Sequence, residues 1–163
     1  MSSQPGTYAL ILRASRGRVI QVGQLALLTI RQGSYVYVGS AFGPGGLRGR
    51  VRHHLRLARR PHWHVDYLRR ILRLNEVWYS HDPRRREHLW AALLRETPGC
   101  SVPARRFGAS DCQCESHLFF FDSPPSIDAF RRRLHEAAHG HSPVRRARRI
   151  HIGWKTDGKK FCR

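Results

Sequence analysis

A chain of 163 residues, 40% of them hydrophobic, has the length of one domain and enough apolar surface to bury a core of its own. Its 30 Lys and Arg against 11 Asp and Glu leave +19, a field that draws polyanions, with nucleic acid the expected partner. No membrane partner is expected, since no apolar run reaches the roughly 18 residues of a helical span and no long basic helix carries a broad aromatic face.

The start, MSSQPGTYAL, lacks the plan of a signal peptide, so the expected compartment is the cytoplasm. There Cys100, Cys112, Cys114 and Cys162 are reduced thiols or metal ligands rather than disulfides. Residues 7–15 (TYALILRAS) are apolar and β-prone, and a turn at 16–18 leads into a strand over 19–25. Residues 27–30 continue toward a third strand, SYVYVGS, which follows the turn at Gln32-Gly33. Short strands joined by tight turns predict an antiparallel meander. The run Gly43-Pro44-Gly45-Gly46 ends it, and Leu47, Val51, Leu55 and Ala58 follow at helical spacing among Arg and His.

A second helix is predicted over 64–75 (HVDYLRRILRLN), with Val65, Leu68, Ile71 and Leu72 inward, then a strand over 77–81. Asp82-Pro83 reads as a helix start, Asp capping the free amides and Pro fitting the first turn, ahead of Glu87, Leu89, Trp90, Leu93 and Leu94. A loop through FGASDCQC leads to a strand over 117–122, and Ser126 caps a last helix carrying Ile127, Phe130, Leu134 and Ala138. Past Gly140 the basic tail holds either a short strand at 150–154 or a free arm. The expected class is α/β of the α+β kind: a small three-stranded antiparallel sheet flanked by helices, with an added C-terminal strand and helix. A main domain spans 1–122, and 123–163 form a helix and basic extension packed on it.

Alternation puts Tyr35 and Tyr37 on one face of their strand and Val36 and Val38 on the other. Gly39 ends that strand and allows a ligand or another backbone to approach closely. Arg50 and His54 stand one helical turn apart, so they share a face. A forked, permanently charged Arg beside a titratable imidazole suits a scissile phosphate; the same spacing also arises on a solvated basic face. Glu87 reads either as a carboxylate for a metal or as a first-turn residue favouring the helix dipole. His64 and Tyr67 stand either near such a site or in helix packing, and Asp66 is placed to orient a basic neighbour such as Arg50. Cys112, Cys114 and His117 supply three of the four ligands a structural zinc wants, with no second pair evident, so a tight turn of small buried thiols is expected there. His135, His139 and His141 form a weaker metal signal. Trp63, Trp78 and Trp154 are either core residues or platforms for unpaired bases.

The order of these features is more specific than any one of them. Gly6-Thr7-Tyr8 opens the first strand, Tyr37-Val38-Gly39 closes the third, a helical Arg follows, and a Glu stands on a later helix. Together with YVYVGSA, GLRGRVRHHL, HWHVDYL and FGASDCQCESHLF, this order resembles the GIY-YIG nuclease superfamily. Within it the chain resembles a branch of small GIY-YIG-domain proteins, some fused to DNA-repair endonucleases. The resemblance covers residues 6–120.

It implies a divalent-metal-dependent endonuclease acting on DNA in repair or processing, on single-stranded or branched forms among others, with RNA a further candidate. It implies that Tyr8 and Tyr37 contact the nucleophilic water or the phosphate. Arg50 would stabilise the phosphate, His54 matches a histidine found one turn later in some members, and Glu87 would bind one Mg²⁺ or Mn²⁺. Arg48, Arg52, Ser40 and His64 are the substrate-binding candidates around them. The loop over 42–46 lengthens the usual spacing before the arginine. Many members also place an Asn late in the domain; here the region reads FGASDC, with Ser110 or Asp111 as candidate replacements. A monomer or weak oligomer is expected. The rival reading is a non-catalytic nucleic-acid-binding module that keeps the fold, and a protein-interaction domain is a third.

Overall fold

A strand packed on both faces needs apolar residues without alternation. Residues 7–12 are all buried, and β1 (Thr7–Ala14) is accordingly the middle strand of the sheet. The structure, a computed structural model, describes residues 1–23, 26–56, 61 and 63–148. β1 pairs antiparallel with β4 (Gly33–Ser40) on one side and β5 (Arg73–Ser80) on the other. At the edges β6 (Leu118–Phe121) joins β4 and β7 (Arg145–Arg148) joins β5, giving five strands in the order β6-β4-β1-β5-β7.

The class is α+β, with a larger sheet than the pattern of short strands indicates. β2 (Arg18–Val22) and β3 (Ala26–Ile30) leave the sheet and form a hairpin of their own. Val19 and Leu27 are 59% and 70% exposed, so this hairpin keeps one wet face and could not replace the twice-buried β4 beside β1. The tail strand expected at 150–154, Ala58, His62, Trp154 and Cys162 lie outside the described residues. The edge strand β7 has the sequence RRAR, whose arginines tolerate a solvated edge.

Alternating side chains divide the sheet between two cores. Tyr8, Leu10, Leu12, Tyr35, Tyr37, Val77 and Phe120 face α1 (Gly46–Leu55), α2 (His64–Arg69) and the β2–β3 hairpin. Ala9, Ile11, Val36, Val38, Trp78 and Phe119 face α3 (Glu87–Arg95) and α4 (Ile127–Ala137). Each of the Val, Leu, Ile and Phe side chains among them contributes on the order of 1.5–3 kcal/mol by leaving water. Phe130 of α4 packs its ring 5.4 Å from Trp78 and 5.1 Å from Trp90, so α4 shares the second core with α3.

Two helix boundaries differ from the pattern. The helix expected over 64–75 stops at Arg69, because Arg73 and Leu74 pair with Arg13 and Leu12 of β1 and begin β5. Backbone bonds to the central strand override a helical propensity that is weak in itself. Asp82 does not cap α3, which begins at Glu87. Its Oδ1 accepts from the Arg84 N–H at 2.9 Å and from Arg86 Nε at 3.2 Å, and its Oδ2 accepts from the Ser142 N–H at 2.9 Å. Ser126 does cap α4, its Oγ accepting from the Ala129 N–H at 3.3 Å. No helix of the described residues is long and apolar enough to cross a membrane.

Candidate active site

The two tripeptide motifs meet across the β1–β4 ladder, where Tyr8 stands opposite Gly39. A Cβ on Gly39 would lie 2.6 Å from the Tyr8 hydroxyl, so only glycine lets this ring lie across β4. A Cβ on Gly6 would collide with the backbone carbonyl of Ser80 on β5. Gly39→Ala should therefore cost about 1–3 kcal/mol in denaturant unfolding, the usual penalty for overpacking a filled site. An unchanged unfolding midpoint would mean that Tyr8 lies elsewhere.

The Tyr8 hydroxyl reaches His54 Nε2 at 2.8 Å, and His54 Nδ1 stands 3.2 Å from Asp66 Oδ1. All three side chains are buried. A carboxylate only accepts, so the proton of neutral His54 sits on Nδ1, and Nε2 is left to accept from the phenol. Burial lowers the His54 pKa from its ordinary value, against the raising influence of Asp66, and keeps the ring neutral. The Tyr8 pKa is pushed well up, first by burial and then by Tyr37, so the phenol rests protonated. Tyr37 is raised too, by burial and then by Glu87. Asp66 is itself fixed by the Trp63 N–H at 3.0 Å, and it also meets His53 Nε2 at 3.3 Å.

These groups open on a cleft of about 410 Å³ whose walls include Tyr8, Tyr37, Ser40, Arg50, His54, Trp63, Arg85, Glu87 and Asp111. The Arg50 guanidinium lies 4.3 Å over the Trp63 ring, which holds its charge in place. Glu87 is carried in by the first turn of α3. That turn is pinned to the start of β1 by the Arg86 N–H donating to Thr7 Oγ1 at 3.1 Å, and α3 is anchored behind by buried Trp90.

The structure thus brings Tyr8, Tyr37, Arg50, His54, Ser40 and Glu87 to one cleft. Arg48 and Arg52 stand exposed on α1 and do not line it. His64 supports the wall from behind, its Nδ1 accepting from the Gly108 N–H at 3.4 Å beside Phe107. Of the two candidate replacements for the late Asn, Asp111 lines the cleft, and Ser110 is exposed with its carbonyl 3.4 Å from the Arg106 guanidinium. Trp78 is fully buried in the second core and is no stacking platform. Tyr35 belongs to the first core, its hydroxyl accepting from the Arg31 N–H at 2.7 Å. Asp66 as the partner of His54 was not legible from spacing, since the two lie on different helices. Arg85 was hidden in a run of three arginines.

The model of the family described as "Domain of unknown function DUF123" matches residues 7–140, from the first residue of β1 to just beyond α4. The chain belongs to the DUF123 family. No curated protein and no solved structure matches it.

Among the described residues of this DUF123 chain, two groups have the residue types and closeness to hold a metal ion. His53, His54 and Asp66 form one, and His88, Cys112, Cys114 and His117 the other; in each, the ligand atoms lie within 4.8 Å of one another. The first is already committed to hydrogen bonds, His54 to Tyr8 and Asp66, and His53 to Asp66. The second borders the cleft through His88, Cys112 and His117. Burial, followed by the neighbouring Cys112, pushes the Cys114 thiol up to about 11. The His135 and His139 rings lie tilted to one another with centroids 5.7 Å apart, and His141 accepts from Trp90 Nε1 at 3.1 Å.

Proposed function

We propose that this DUF123 chain is a divalent-metal-dependent endonuclease of the GIY-YIG kind that hydrolyses phosphodiester bonds in DNA. The supporting observation is the convergence of Arg50, the Tyr8–His54–Asp66 relay and Glu87 on one cleft. Hydrolysis of a phosphodiester needs an oriented water, a place for its proton and charge to offset the phosphorane. A water beside Tyr8 can pass its proton to the phenolic oxygen while the Tyr8 proton moves to His54 Nε2. The imidazolium so formed is held by Asp66, and the proton then returns to solvent. Arg50, braced on Trp63, carries the charge for the non-bridging oxygens.

Glu87 is the residue that would hold Mg²⁺ or Mn²⁺. One carboxylate with room for waters and phosphate oxygens matches the habit of magnesium. Such an ion, when bound, would supply Lewis-acid stabilisation of the phosphate and of the leaving oxygen. The +19 charge supports strand binding in this reading, with Arg85 on the cleft wall and Arg48 and Arg52 outside it.

The test is a cleavage panel of single-stranded, duplex, flapped and branched DNA and of RNA, with Mg²⁺, Mn²⁺ or chelator. Cutting that requires the divalent ion and falls with rising salt is the expected result. Salt-sensitive binding without cutting on every substrate would overturn the nuclease reading in favour of a binding module.

A further inference from the structure

Beside the cleft, four side chains that the relay does not use converge from two parts of the chain. His88 comes from the first turn of α3, and Cys112, Cys114 and His117 from the loop ahead of β6. Cys112 Sγ stands 3.4 Å from His117 Nε2, and Cys114 Sγ stands 3.3 Å from His88 Nδ1. A zinc tetrahedron with bonds of about 2.3 Å to sulfur and 2.0–2.1 Å to nitrogen sets S and N about 3.5 Å apart. The side chains already stand near its corners, and an ion at their centre needs shifts of only tenths of an ångström in these two pairs.

The loop is built to hold that arrangement. Arg106, the one non-glycine residue with positive φ among the described residues (61°), donates from Nη1 to the Cys112 carbonyl at 2.6 Å and to the Cys114 carbonyl at 3.3 Å. The Arg106 N–H donates to the Glu115 carbonyl at 2.7 Å, and the His117 N–H to the Phe107 carbonyl at 2.8 Å. Both cysteine carbonyls are thereby gathered on one guanidinium, next to the fully buried Phe107.

The ring nitrogen of His88 that faces away from Cys114 has a partner of the expected kind. His88 Nε2 lies 3.4 Å from Glu87 Oε1. A metal-bound imidazole commonly donates its free N–H to a carboxylate, which fixes the ring and strengthens it as a ligand.

We propose that His88, Cys112, Cys114 and His117 bind one zinc ion in a closed, structural site that fastens loop 108–117 to the first turn of α3. Two thiolates and two imidazoles select zinc over magnesium or calcium. Four protein ligands leave no position open for substrate. The loop so fastened carries Asp111, and the helix turn carries Glu87, so zinc joins two walls of the cleft. This inference does not rest on the nuclease reading: a chain that holds zinc and cuts nothing would sink that reading and leave this one intact.

The experiment is metal analysis of the full chain, expressed with zinc and purified without chelator. One zinc per chain is expected, and Co²⁺ loading should give the intense visible bands of a tetrahedral site with thiolate charge transfer. Cys112→Ser and His88→Ala should each lower zinc affinity at least tenfold, whereas His53→Ala, in the other cluster, should leave it unchanged. Should the serine variant fail to fold, His88→Cys serves in its place: it should retain zinc and intensify the thiolate charge-transfer band. Zinc at background level in the wild type, or zinc held equally well by His88→Ala and Cys112→Ser, would overturn the proposal.

Discussion

Arg50→Ala and Glu87→Gln should each slow DNA cleavage on the order of 10³-fold while leaving binding intact. The two side chains enter the cleft from opposite sides of the sheet, Arg50 from α1 and Glu87 from α3, so in the proposed reaction each would meet a different part of the charge that builds on the phosphate. Losing one such electrostatic contact in a preorganised site costs about 10²–10³ in rate. Binding separates the two variants from general damage. Removing the Glu87 charge takes the net charge from 30 − 11 = +19 to 30 − 10 = +20, so DNA affinity should hold or rise slightly as cutting fails. Cleavage kinetics beside a salt titration of binding would read both. Wild-type rates in the two purified variants would end the assignment of this cleft to phosphodiester hydrolysis.

Tyr8→Phe should slow cleavage by about 10²–10⁴-fold, the usual contribution of a positioned proton-transfer group. The pH profile says more than the single rate. Burial holds the His54 pKa below its ordinary 6.5, and the relay needs neutral His54, so the rate should fall only on the acid side of that value. Asp66 acts in the raising direction, so Asp66→Asn should move the acid limb to still lower pH while reducing the plateau. That pairing of effects distinguishes a relay from a merely buried cluster, in which Asp66→Asn would lower stability without shifting the profile.

The motif residues were legible because their signals are local. A glycine two residues before a tyrosine, or an Arg and a His four apart on a helix, needs no knowledge of tertiary pairing. Strand partnership carries no such local mark. The alternating 19–30 stretch looks as much like a sheet strand as β4 does, and only the doubly buried neighbourhood of β1 decides between them. The same limit hid the boundary near Arg73, where a long-range ladder displaced a helical spacing. His88 was invisible for a related reason. It lies 24 residues before Cys112, next to a glutamate that drew attention to itself, and only the packing of the loop on α3 brings the four ligands together.

The central place of β1 also dictates when the cleft can exist. Among the strands of this sheet β1 is made first, and its partners β4 and β5 arrive in turn, each from farther along the chain. Tyr8 then waits for His54 and Asp66, and the wall is complete only when His117 has emerged. A nascent chain therefore carries an unfinished cleft until residue 117 has emerged, and a cutting activity of this kind would begin only once this domain has folded around β1.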